Sequence, residues 1–303
     1  MAFSIRSLFV NPQEHRLRCG WRLLLFLLLG TLLFVPLGFL LAWIFAPNPP
    51  AWAYHPAASE ALIAVHITLS VALARRWLDR RPWKDLGLAW DPQAPREMLF
   101  GIWLSGLMMG SIFLTEWALG WAQITEVAWQ RLPWARLLPL LGEALLLWIL
   151  VGWTEELLFR GYLLTNLREG LNLPWAVFLT SLFFALVHWG NPNWTPAALG
   201  GIFLAGLFLA AGWLTTRRLW LPIGLHIGWN LFEGTVFGFP VSGLHLPSLI
   251  TLQVQGPSWL TGGAFGPEAG LILVPALIGG TWIMYRWRAK AASPPPPPAQ
   301  GVV

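Results

Sequence analysis

Residues 152–163 read GWTEELLFRGYL, and they close an apolar run that begins near Leu137. Stripped of its charges, 137–163 is long enough to cross a bilayer as a helix, which takes about 20 residues. The charges make it unusual. Glu155, Glu156 and Arg160 stand at a depth where an ionised side chain loses its hydration. A chain that keeps two adjacent acids and a base there either neutralises them in packing or uses them.

The rest of the sequence places that segment in a membrane. The chain has 303 residues, 56% hydrophobic and only 11% charged, with a mean hydropathy of +0.59. A soluble domain carries about 25% charge, so this chain cannot cover a water-facing surface. Apolar segments recur at 21–45, 58–74, 98–120, 137–163, 174–190, 196–215, 219–238 and 269–285. They predict an all-α, polytopic membrane helix bundle with about eight transmembrane helices. The 22 tryptophans suit such a protein, because indoles favour the headgroup region. With the N-terminus inside, all of the 19 Lys and Arg fall on the cytoplasmic side except Arg131, Arg136 and the intramembrane Arg160. Both termini are therefore expected in the cytoplasm. The pI near 10 then reflects loop anchors, and no nucleic-acid partner is expected. A single cysteine, Cys19, excludes an intramolecular disulfide and any multi-cysteine metal site.

Four regions follow. Residues 1–134 hold the first transmembrane helices with basic cytoplasmic loops, 135–240 a polar-bearing core, 241–290 an outer loop and the last helix, and 291–303 a Pro-rich tail. The segment 21–45 reads as a retained span, with processing near Ala46 as the alternative. The loop 239–268 has no Lys or Arg and many Gly and Pro, too broken for a further span, though a re-entrant segment would fit it.

Ionisable residues inside the predicted spans are few. Glu156 and Arg160 are four apart on one helical face, acid first, the favourable order for an ion pair. Glu155 points about 100° away from Glu156. An acid held beside another in low dielectric is suited to accept a proton near neutral pH. His188 follows Phe184 by one turn, so that the phenyl ring should pack beneath the imidazole; a hydrogen-bonded packing histidine is the plainer alternative. His226 and Asn230, again four apart, can serve an oxyanion, a water or another helix. Glu233 is expected to support them from behind, whereas Glu60, His66, Glu116 and Glu143 show no comparable partner. Depth ties the set together. Glu155 lies 13 residues before Arg168 and His188 lies 14 after Pro174, each roughly 20 Å from the hairpin turn between them. His226 and Asn230 lie roughly 12 to 18 Å past the Arg218 anchor.

On these residues the chain resembles the CPBP family of intramembrane proteases, the type II CAAX prenyl endopeptidases with their bacterial Abi or bacteriocin-processing relatives. The matching motifs are Glu155-Glu156-x-x-x-Arg160, Phe184-x-x-x-His188 and His226-x-x-x-Asn230, with Gly161-Tyr162-Leu163 and LWLPIGLHIGWN (219–230) alongside. They cover about 135–240. The resemblance implies an endopeptidase in which Glu155 activates water, His188 holds and polarises it, and His226 and Asn230 stabilise the oxyanion. Glu156 and Arg160 would orient the first glutamate. It implies no required cofactor, with zinc on Glu155, His188 and His226 as the alternative. The implied partners are a peptide or membrane-protein substrate, prenylated or not, and the lipid bilayer, and the implied location is a bacterial plasma membrane. The competing readings are a non-catalytic scaffold or bacteriocin-immunity protein, and a proton-coupled transporter, which would show internal repeats and broken helices in both halves. Oligomeric state and cleavage site are not legible in the sequence.

Overall fold

The computed structural model describes residues 6–12, 14–45 and 55–291. Ala46, where processing was considered, and 292–303 of the Pro-rich tail lie outside the described residues. Each of the eight apolar segments coincides with a helix: α1 Cys19–Phe45, α2 Pro56–Ala74, α3 Gln93–Ala118, α4 Trp134–Glu156, α6 Leu173–Val187, α7 Pro196–Thr216, α8 Trp220–Asn230 and α9 Leu273–Ala291. A π-helical turn, Leu157–Leu163, joins α4 to α5 (Leu164–Gly170) in one 37-residue rod. Among the described residues, five helices are long and apolar enough to cross a membrane. The shorter α6 and α8 are apolar but do not reach that length.

Local signals set several helix starts. Asn172 caps α6 by accepting from the Trp175 amide at 3.0 Å, and Thr195 caps α7 by accepting from the Ala198 amide at 3.1 Å. Each cap is followed by a proline in the first turn, where the missing N–H leaves no bond unmade. The segment 174–190 is shorter than expected: α6 ends at Val187, and His188 begins a turn that runs into Gly190, Asn191 and Pro192.

Glycines let α3 and α8 pack backbone against backbone. A Cβ on Gly101 would lie 2.6 Å from the Leu225 amide nitrogen, one on Gly224 2.1 Å from the Met98 carbonyl, and one on Gly228 2.7 Å from the Ile102 Cα. Gly224 and Gly228 thus form the small-xxx-small pattern of close helix pairs. The Ser105 hydroxyl donates to the Leu225 carbonyl at 2.7 Å across the same seam. Gly224→Ala is expected to cost about 1–3 kcal/mol of stability by forcing the two backbones apart. Thermal unfolding in detergent checks this, with Gly142→Ala as the control, since nothing lies within 4 Å of its added Cβ.

Two findings differ from the sequence reading. The loop after residue 239 is not featureless: β2 (Ile250–Val254) pairs antiparallel with β1 (Ala122–Val127), register Ala122 to Val254, with an irregularity between Ile124 and Glu126. Three of the cations counted as loop anchors are also buried. Arg22 and Arg75 hold opposite oxygens of the buried Asp79 at 2.9 and 2.8 Å, and Glu169 accepts from Arg16 at 2.8 Å and Arg22 at 2.9 Å. Asn166 of α5 donates to Asp79 at 3.3 Å. This network ties α1 and α2 to the far end of the rod that carries Glu155.

Candidate active site

Glu155 and Glu156 end the regular part of α4, just before the chain widens into the π turn. Such turns recur at functional sites because they re-aim neighbouring side chains. The two acids precede this one on the regular helix and point about 100° apart. The Glu156 side chain is fully buried behind the site, while Glu155 keeps 25% of its side chain exposed and faces a cavity of about 430 Å³. His188, His226 and Asn230 line that same cavity, so two helices, α4 and α8, and the turn after α6 bring the four residues together. The cavity walls are otherwise largely apolar, with Ile63, Trp148, Phe184, Phe208 and Leu277 among them.

Behind the cavity, Glu156 Oε1 accepts from Arg160 Nη1 at 2.8 Å and from His226 Nδ1 at 2.9 Å. Arg160 is also buried; its Nη2 donates to the Gly206 carbonyl at 3.0 Å, and its guanidinium lies 4.4 Å from the Phe184 ring centroid. One ion pair therefore joins the π turn, α6, α7 and α8. Phe184 packs against the His188 ring at 5.0 Å, as its spacing suggested, but it also covers Arg160. A carboxylate can only accept, so Nδ1 of His226 carries the hydrogen. That leaves Nε2 toward Glu155, whose Oε2 is 3.8 Å away and has no hydrogen-bond partner among the described residues.

His188 is fixed in a similar way. Its Nδ1 donates to the Phe184 carbonyl at 2.7 Å, leaving Nε2 as the acceptor in the neutral ring. Its backbone, φ −86° and ψ 0°, lies in the sparsely populated region between helix and strand. Asn230 forms no side-chain hydrogen bond among the described residues and ends α8 on the cavity wall. On the oxyanion role that the resemblance implies for it, Asn230→Ala is expected to lower kcat by about 10²–10³-fold. Single-turnover kinetics on a cleaved peptide would measure it.

Two further acids also line the cavity: Glu60 from α2, which the sequence left without a partner, and Glu268, which it did not mark. Glu268 comes from a 3₁₀ turn in the loop read as too broken for a further span, and it is buried. Its Oε2 accepts from the Ser242 amide and hydroxyl, both at 2.7 Å. Burial pushes the Glu268 carboxyl above the usual range, against the opposing pull of the Ser242 bonds and of His188 and His226. Its backbone seats on α7 at Gly201, where a Cβ would fall 1.7 Å from the Glu268 carbonyl oxygen. The available signal was its place as the one acid in an otherwise acid-free stretch from 239 onward. Glu233 does not reach the cavity. The π turn Leu231–Val236 swings it behind the Glu268 loop, fully buried. Glu143, read as partnerless, pairs with His55 at 2.8 Å. His66 packs against Phe34 at 5.1 Å, and Glu116 is buried with no hydrogen bond to either oxygen among the described residues.

Among the described residues, no three His, Cys, Asp or Glu side chains are grouped so as to hold a metal ion. Glu155, His188 and His226 line the same cavity without forming such a group.

Residues 136–232 match the family described as "Type II CAAX prenyl endopeptidase Rce1-like". That stretch contains all three motifs and ends before Glu268. The chain is also 26% identical over 206 residues to "Uncharacterized protein YyaK" of Bacillus subtilis (strain 168), a match spanning 62% of this chain and 64% of that protein. The chain thus covers less than two thirds of that curated relative. The resemblance carried by the motifs is therefore found again as a likeness to that family over residues 136–232. With five long apolar helices, the chain is an integral membrane protein.

Proposed function

We propose that this chain, CAAX-protease-like in its core, is an intramembrane endopeptidase that hydrolyses a peptide bond with water activated by Glu155. The observation that carries the reading is the unpartnered Glu155 Oε2, held on the same cavity as His188, His226 and Asn230. Peptide hydrolysis needs a base, a positioned water and donors aimed at the developing oxyanion. Glu155 takes the proton of the water, and the Nε2 lone pair of His188 holds that water for attack on the carbonyl carbon. Glu155 then returns the proton to the departing amine as the C–N bond breaks.

The oxyanion falls to Asn230 and His226. Because Nδ1 of His226 already donates to Glu156, its Nε2 becomes a donor only in the imidazolium form. The carboxylates of Glu156 and Glu155, at 2.9 and 3.8 Å, supply the countercharge for that form. Glu156 and Arg160 act as positioning residues: they hold His226 and keep the base-bearing turn rigid. Zinc is not part of the proposed step. The substrate class is a peptide or membrane-associated protein, prenylated or not, reached from within a bacterial plasma membrane, with both termini of the enzyme cytoplasmic.

The test is a panel of membrane peptides incubated in detergent with wild type, Glu155→Gln and His188→Ala, each with and without a chelator. Wild type should cut at least one peptide, chelator present or absent, and both variants should lose cleavage. Equal cleavage by wild type and both variants would sink the protease reading, and loss with chelator alone would sink its metal-free form.

A further inference from the structure

The far end of α2 turns through a π-helical segment, Arg75–Asp79, and reverses at Arg80, whose backbone is left-handed with φ 52°. The reversal gathers Arg75, Arg76, Arg80 and Arg81 around one cleft of about 670 Å³, completed by Ala72, Pro82 and Trp83. No acid lines it. Arg75 is already neutralised, donating to Asp79 at 2.8 Å and to the Pro82 carbonyl at 3.1 Å. Asp79 in turn is shared with Arg22. Arg81 comes only within 3.8 Å of Glu14, whose nearer partner is Arg16 at 2.9 Å. Arg76 and Arg80 form no ion pair among the described residues, and the remaining residues contain no Asp or Glu. Asp85, the next acid along the chain, is exposed in the following 3₁₀ turn, outside the cleft.

Three guanidinium groups thus converge with little internal counter-charge, at the end of a 24-residue apolar helical stretch, Pro56–Asp79. That is the level at which hydrocarbon gives way to headgroups. Trp77 beside them is 61% exposed, as an indole is when it sits among headgroups. Guanidinium forks match phosphate oxygens bidentately, and the cleft is larger than a bare phosphate needs. We propose that the Arg76–Arg80–Arg81 cleft binds the phosphodiester headgroup of an anionic phospholipid. Through Arg75, Asp79 and Asn166 the site abuts α5, so a bound headgroup braces the rod that carries Glu155.

The test needs no substrate and stands apart from the protease reading. The purified full chain in zwitterionic detergent is titrated with short-chain phosphatidylglycerol, phosphatidylcholine or inorganic phosphate, and the thermal unfolding midpoint is followed. Phosphatidylglycerol should raise the midpoint by about 5 °C at roughly a hundredfold excess over Kd, with little effect from the other two. The shift should shrink in about 1 M salt, where the Debye length falls to roughly 3 Å. Arg76→Gln/Arg80→Gln/Arg81→Gln should lose most of it, while Arg96→Gln/Arg286→Gln/Arg288→Gln, an equal loss of charge elsewhere, should keep it. An undiminished shift in the cleft variant, an equal loss in the control variant, or an equal shift with inorganic phosphate would each overturn the proposal. Should the triple variant fail to fold, Arg76→Gln alone, which breaks no ion pair, must still reduce the shift, and an unchanged shift overturns the site.

Discussion

Glu155→Gln is expected to lower kcat on any peptide the wild-type protein cuts by roughly 10²–10⁴-fold, the contribution of a positioned general base. The substitution keeps the shape of the side chain but removes its negative charge, and with it both its ability to take a proton and its share of the countercharge beside His226. KM should change little, because the apolar walls that hold a substrate, Phe184, Phe208 and Leu277 among them, are untouched. Stability should hold as well. Glu155 has no intramolecular hydrogen bond at Oε2 and stands 3.8 Å from His226, so no tight pair is broken. The measurement is single-turnover cleavage by wild type and variant at equal folded concentration, with unfolding midpoints taken alongside. A variant with wild-type kcat would remove Glu155 from the base role, whatever the fate of the other residues.

The cavity also explains why two adjacent acids are tolerable. They face different ways: Glu156 spends its Oε1 on a guanidinium and an imidazole in the protein interior, and Glu155 keeps contact with the cavity. Removing either acid would have a different consequence, one chemical and one structural. The division is made on the regular helix, where adjacent residues point about 100° apart and the four-residue spacing sets Arg160 against Glu156.

Legibility in the sequence followed from how each feature announces itself. Glu155, Glu156, Arg160, His188, His226 and Asn230 could be singled out because polar groups at membrane depth are rare and their four-residue spacings repeat. The helices were legible from apolar run length, though not their true ends. Only His188's backbone shows that α6 stops at Val187, and a run of apolar residues carries no mark for that. Glu268 was hidden because its place on the cavity depends on long-range closure. Ser242 must meet it across 26 residues, and Gly201 must leave room for its carbonyl. Glu60 was visible as an acid at membrane depth but not as part of the site, since its neighbours on the cavity come from other helices. The β1–β2 pair was missed although Ile250–Val254 alternates between half-buried and exposed positions with the period of a strand. Its partner lies more than 120 residues earlier, and the segment sits in a loop whose Gly and Pro content drew the reading elsewhere.

Arg160→Met should be the most destabilising single change in the core, at about 3–5 kcal/mol, the cost of leaving one partner of a buried ion pair uncompensated. Arg160 is fully buried, bonded to Glu156 and to the Gly206 carbonyl, and covered by Phe184. Methionine approximates its stem but not its charge. Glu156 would then be left at 0% exposure with only His226 beside it, its Oε2 already lacking a partner. If that stranded charge is the cause, Glu156→Gln/Arg160→Met should recover much of the lost stability, because a neutral amide no longer needs the guanidinium. The double variant should nevertheless remain slow, since His226 Nδ1 would face an amide in place of a carboxylate and lose half the countercharge of its imidazolium form. Unfolding midpoints in detergent and kcat on one peptide separate the two effects. A double variant as unstable as the single one would assign the loss to packing against Phe184 and Gly206, and one with wild-type turnover would show that Glu156 orients nothing in the site.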